Sequence, residues 1–141
     1  MRRLWLCLGV AVLVGCAKTA DDEARPLLKK IEGYYAEGQY KTVLDSIEQL
    51  RVSYPHAIES RKRALELWQD ASLKLAQRDV ALTDSALQAT TVQLSAARDL
   101  LTKNWLSVKR DSLQARYDAM CGVVRMIHAR QKQYKQAKSE K

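Results

Sequence analysis

The chain has 141 residues, with 24 Lys and Arg against 16 Asp and Glu for a net charge of +8, and it contains three cysteines and five glycines. That length suits one modest domain and excludes two. The sequence has no Gly-x-Ser-x-Gly, no glycine-rich phosphate loop and no His-Glu-x-x-His, so the common motifs of hydrolases, nucleotide-binding proteins and zinc proteases are excluded. No catalytic residue, cofactor or metal ligand is expected, and the reading is of a protein that is not an enzyme.

The first 15 residues combine a short basic start, Arg2 and Arg3, with an apolar run from Leu4 to Val14. Such a run has the length of a signal-peptide core and falls well short of the roughly 20 residues that span a bilayer. It ends on Leu13-Val14-Gly15-Cys16, which resembles the lipobox of bacterial lipoproteins. The resemblance implies cleavage after residue 15, a diacylglyceryl group on Cys16 and a membrane-held mature chain in the cell envelope. Two or three acyl chains hold a protein to a bilayer stably where one holds it marginally. Ala17 beside the lipid, with no Asp there, resembles the pattern of lipoproteins sent to the outer membrane.

Residues 16–25 carry Lys18, Thr19, Asp21, Asp22 and Glu23 and no bulky apolar side chain, and read as a lipidated tether. With Cys7 in the signal and Cys16 lipidated, Cys121 is the single remaining thiol. It has no partner within the chain, so it is either buried or a candidate for pairing between chains, and its neighbours Met120, Val123 and Val124 favour burial. His56 and His128 have no ligand cluster around them at metal spacing.

Residues 26–141 read as one all-α domain. Prolines occur only at Pro26 and Pro55, and long stretches are rich in Ala, Leu, Gln, Lys and Arg, which favour helix. No segment alternates at period two over a strand's length. A first helix is expected from Asp22 or Pro26 to Glu37, with Gly38 supplying the left-handed residue that ends it. A second runs from Tyr40 to Val52, stopped by Tyr54-Pro55. Together they make a hairpin over 26–55.

A long third helix over 56–102 carries a stripe through Ile58, Leu65, Trp68, Leu75, Leu82, Ala86, Ala89, Ala97 and Leu101 at steps of three and four. Asn104, Ser107 and an Asp111 to Gln114 capping box place a break between Thr102 and Asp111. A basic C-terminal helix over 109–137 then sets Leu113, Tyr117, Met120, Val124, Ile127 and Tyr134 on one face. Folded back antiparallel on the third helix, it buries both stripes.

Leu27, Tyr34, Gly38, Tyr40, Ile47 and Pro55 stand in the order and spacing of one tetratricopeptide repeat, so residues 24–57 resemble that family's helix hairpin. Ile31, Val43 and Leu50 stand where the family prefers small residues, which widens the hairpin or alters its crossing angle. One repeat cannot bury its own apolar face, so the third helix has to complete it. The lipobox joined to such a hairpin is similar in repeat type to the repeat-containing lipoproteins of outer-membrane barrel assembly, and to small lipoproteins of Bacteroidetes-type bacteria. Neither resemblance supplies a functional residue beyond Cys16.

Two functions follow. In the first, the membrane-tethered helices are a scaffold for another envelope protein, with Tyr34, Tyr40 and Trp68 as the candidate partner surface. In the second, the excess charge of the last quarter, 9 basic residues against 3 acidic from Lys109 onward, binds anionic lipid, lipopolysaccharide or cell wall through Arg130, Lys132, Lys135 and Lys138. Behind a lipoprotein signal these are the polyanions in reach, and nucleic acid is not an expected partner. Glu66 and Asp70 read as a solvated helix surface, and Trp68 and Trp105 as core or seam residues, with interface anchors as the alternative for both.

Overall fold

A computed structural model describes residues 18–140 and contains four α-helices: α1 Ala20–Ala36, α2 Tyr40–Ser53, α3 Ile58–Ala96 and α4 Leu100–Ser139. The lipobox residues Leu13 to Cys16 lie outside the described residues. Among those described there is no strand, and no helix is long and apolar enough to cross a membrane.

Helix α1 starts earlier than the tether reading of 16–25 allows, because Thr19 and Asp22 form a capping box. The Thr19 hydroxyl accepts from the Asp22 amide at 3.2 Å, and an Asp22 carboxylate oxygen accepts from the Thr19 amide at 3.2 Å. Asp21, Asp22 and Glu23 thus occupy a first turn, where negative charge complements the helix dipole. Pro26 sits inside the helix, not at its start. The α1–α2 turn is a Schellman motif: Gln39 N–H donates to the Tyr34 carbonyl at 2.9 Å and Gly38 N–H to Tyr35 at 3.0 Å. Gly38 adopts φ 74°, the left-handed region that a Cβ disfavours.

The core forms where α1 and α2 meet the first part of α3. Ile31, Val43, Ile47, Leu50, Ala64 and Ala71 are fully buried and Leu67 nearly so, with Leu27, Tyr34, Tyr35, Tyr40 and Tyr54 packed around them. Each fully buried large aliphatic side chain is worth about 1.5–3 kcal/mol. On α3 this cluster reaches no further than Ala71, yet the helix continues 25 residues beyond it, to Ala96. At about 1.5 Å per residue, α3 is roughly 58 Å long, more than twice the length of α1 or α2.

The long arm is closed by α4 alone. Late α4 meets early α3, with Gln131 Nε2 donating to Asp70 at 3.0 Å and Lys138 Nζ to Glu66 at 3.0 Å, so the two run antiparallel. Helix α4 packs on α3 only, whereas α1 and α2 pack on each other and on α3. Its seam matches the expected face: Leu113, Tyr117, Met120, Val124, Ile127 and Tyr134 are half-buried, and Leu106 extends the row toward the tip, 4% exposed.

The α3 side of that seam differs from the expected stripe. It uses Ala76, Thr83 and Thr90, seven residues apart, while Ile58 and Leu82 are 62% and 60% exposed. Small residues win here because they let α4 approach, and Thr90 satisfies its buried hydroxyl by donating to the Ala86 carbonyl at 2.8 Å. The break also lies elsewhere. Helix α3 ends at Ala96, and Asp99 caps α4 by accepting the Thr102 amide at 2.8 Å, so residues 102–111 are continuous helix and the fourth helix starts at 100 instead of 109.

Candidate interaction surface

The sequence points to two candidate surfaces, one aromatic and one basic, and the structure treats them differently. Tyr34 and Tyr40 are half-buried against the core, with Tyr40 edge-on to Tyr35 at 5.6 Å between centroids. They fill the hairpin instead of projecting from it. Trp68 is 37% exposed beneath the Arg51 guanidinium, 5.9 Å from the ring centroid, bridging α3 and α2.

The basic residues of α4 do not converge. Arg130, Lys132 and Lys135 are exposed, but Arg130 is two residues from Lys132, which on a helix sets it about 160° away. Lys132 and Lys135 border a shallow cleft with His128 and Gln131. Lys138 is engaged: it pairs with Glu66, which also takes Arg63 at 3.2 Å, and Arg63 reaches Glu32 on α1 at 3.0 Å. The Lys138 ammonium, then the Arg63 guanidinium, hold the Glu66 carboxyl below its ordinary pKa.

A cleft of about 560 Å³ lies in this same base between α3 and α4. Its charges are spent on one another, Lys62 on Glu59 at 2.7 Å and Lys138 and Arg63 on Glu66. Among the described residues no three His, Cys, Asp or Glu gather as metal ligands would. Cys121 is half-buried beside Val80 and Val124, and so less buried than its neighbours suggest.

A further surface stands out, of which the sequence offers only Trp105 as a candidate anchor. On the face of α4 turned away from α3, Leu101, Trp105 and Val108 are 82%, 61% and 70% exposed. Trp105 is no seam residue; Lys109 lies over its ring at 5.1 Å. The same face continues in steps of four and three through Ser112, Ala115, Ala119, Gly122 and Met126 to Ala129. Nine successive positions of this row carry no charge, in a helix where more than a quarter of the residues are Lys, Arg or Asp. The row lies roughly opposite the α3 seam, two residues out of step with it.

Its signal was present as a heptad pattern. Two apolar rows run along one helix, and the Leu113 to Tyr134 row, richer in large side chains, drew the reading. Gly122 supports the surface independently: it is a helix-interior glycine at which an added Cβ would meet nothing within 4 Å. The intact monomer therefore gives no packing reason for a residue that weakens a helix by about 0.5–1 kcal/mol relative to Ala. Comparison with protein-family models, curated proteins and solved structures finds no match to this chain.

Proposed function

We propose that this chain is a membrane-anchored lipoprotein of the bacterial envelope, held by lipid on Cys16, sent to the outer membrane by virtue of Ala17, and acting as a non-catalytic helical scaffold for protein–protein interaction.

 The α1–α2 hairpin, completed by α3, serves as a tetratricopeptide-like base, and the α3–α4 arm carries the surface presented to a partner. The observation that carries this reading is the exposure of Leu101, Trp105 and Val108 on a face of α4 that no other part of the described chain covers. Large apolar side chains grouped on one face mark interaction sites more often than singly scattered ones do. The polyanion reading is not adopted, because Lys138 is held by Glu66 and Arg130 faces a different edge from Lys132 and Lys135.

Two measurements test the two halves of the proposal. Cys16→Ala is expected to abolish labelling by a palmitate analogue and to release the chain from membranes; continued labelling overturns the lipoprotein half. In cells, a crosslinker placed at Asn104, beside Trp105, is expected to give adducts with an envelope protein or with this chain itself, lost in Trp105→Ser. Adducts unchanged by that substitution overturn the scaffold half.

A further inference from the structure

We infer that the uncharged row on the outer face of α4 is a self-association surface, and that two copies pair through it antiparallel, with Trp105 of each seated over Gly122 of the other. The inference rests on the scaffold reading and names the first occupant of its surface.

The argument comes from the order of sizes along the row. The bulky residues Leu101, Trp105 and Val108 lie toward the tip of the arm, and the small ones Ala115, Ala119 and Gly122 toward the base. Two such rows laid side by side in the same direction put tryptophan on tryptophan and leave a gap at glycine on glycine. Laid in opposite directions, about a two-fold axis between Ser112 and Ala115, they match bulk to space. Trp105 then meets Gly122, Val108 meets Ala119, Ser112 meets Ala115, and Leu101 meets Met126 at each end. Shifting the pairing by one heptad either way breaks this match, setting Trp105 against Ala115 or Ala129 and leaving Gly122 facing a charged or small residue. The pairing is isologous and closed, the commonest symmetry of soluble oligomers. It also gives Gly122 the close approach that the monomer does not explain.

Charge at the edges tells against the pairing only weakly. In this register Lys109 lies beside Arg116 of the second copy, and Asp111 beside Asp118. Such like-charged contacts are solvated and screened, and they compete with removal of two exposed tryptophans and their flanking aliphatic residues from water. The sign of the salt effect follows: added salt strengthens this association, whereas it weakens any binding to a polyanion.

The experiment uses residues 18–141, since the four helices and their core lie within the described part of this segment, and its outcome does not depend on lipidation. Sedimentation at micromolar chain concentration is expected to give twice the monomer mass, more fully at high salt. Gly122→Trp places bulk where the partner's Trp105 sits and is expected to give monomer; an added Cβ there meets nothing within 4 Å in the single chain, and unchanged helix content by circular dichroism checks that the fold is kept. Trp105→Gly is expected to weaken the dimer, and the double variant with the two residues exchanged to restore it.

Register is read by disulfide trapping in a Cys121→Ser background. A Val108→Cys chain mixed with an Ala119→Cys chain is expected to give the crosslinked heterodimer, with little crosslinking of either chain alone. A wild-type chain that stays monomeric overturns the inference while leaving the scaffold reading to the crosslinking at Asn104. A dimer indifferent to Gly122→Trp, or trapped mainly as Ala119→Cys with itself, overturns the proposed face or its direction.

Discussion

The base and the arm are built from the same helix, α3, but they are held by different means. At the base, α3 is flanked by α1 and α2, and the residues between them are large, aliphatic and fully buried. Along the arm it meets α4 alone, its buried positions are Ala76, Thr83 and Thr90, and on α4 only Leu106 is buried. Three helices can enclose a core, whereas two can share only a seam. The fold therefore divides into a part that secures the structure and a part whose apolar side chains are left for something else.

The largest test of that division is Ile47→Ala, which opens a cavity in the base and is expected to cost about 2–5 kcal/mol in chemical denaturation. Leu106→Ala, in the arm, is expected to fall at the low end, about 2 kcal/mol, because the neighbouring seam can relax. Equal losses would show that the arm is as tightly packed as the base. Gly122→Ala is expected to act in the opposite direction, raising helix stability by about 0.5–1 kcal/mol, measured on the monomer at high dilution.

A smaller effect comes from acid. Asp21 is held below its ordinary pKa chiefly by the Ser60 amide, Asp99 by the Thr102 amide, and Glu66 by Lys138. For each carboxyl the native pKa is depressed, so the unfolded chain binds more protons between the two values. Its contribution to stability is present above the ordinary carboxylate range and is lost as pH falls through the native value. Thermal melts followed by circular dichroism are expected to hold steady at neutral pH and to drop below about pH 4. Asp21→Asn should flatten that drop and lower the neutral melting temperature by a few degrees. The least effect is expected from Lys138→Ala, an exposed pair partner whose loss should leave the melting temperature nearly unchanged.

The helical class and the α4 seam were legible because periodicity and composition agree over long segments. Leu113 to Tyr134 repeats without interruption, and Gly38 and Tyr54-Pro55 are strong local punctuation. The break between α3 and α4 was not, because Asn104, Ser107 and Asp111 look like cap residues wherever they fall, while Asp99 does the capping from a position followed by two leucines. The α3 seam was hidden for a different reason. Its stripe of Ile58, Trp68 and Leu82 is more apolar than the row that α4 covers, and helix approach selected the smaller residues. At the surface, the nine uncharged positions from Leu101 to Ala129 were readable as a heptad, yet a sequence does not say which of two apolar rows faces inward.

Asp21 shows how the two ends of the base are joined. The α3 N-terminus has no cap from its own residues, since Ala57 offers no side-chain acceptor. The Asp21 carboxylate takes that place from 39 residues away, accepting the Ser60 amide at 2.7 Å and the Glu59 amide at 3.4 Å. Drawing the start of α1 away from α3 therefore uncaps the α3 N-terminus, so fraying at one end of the base loosens the other.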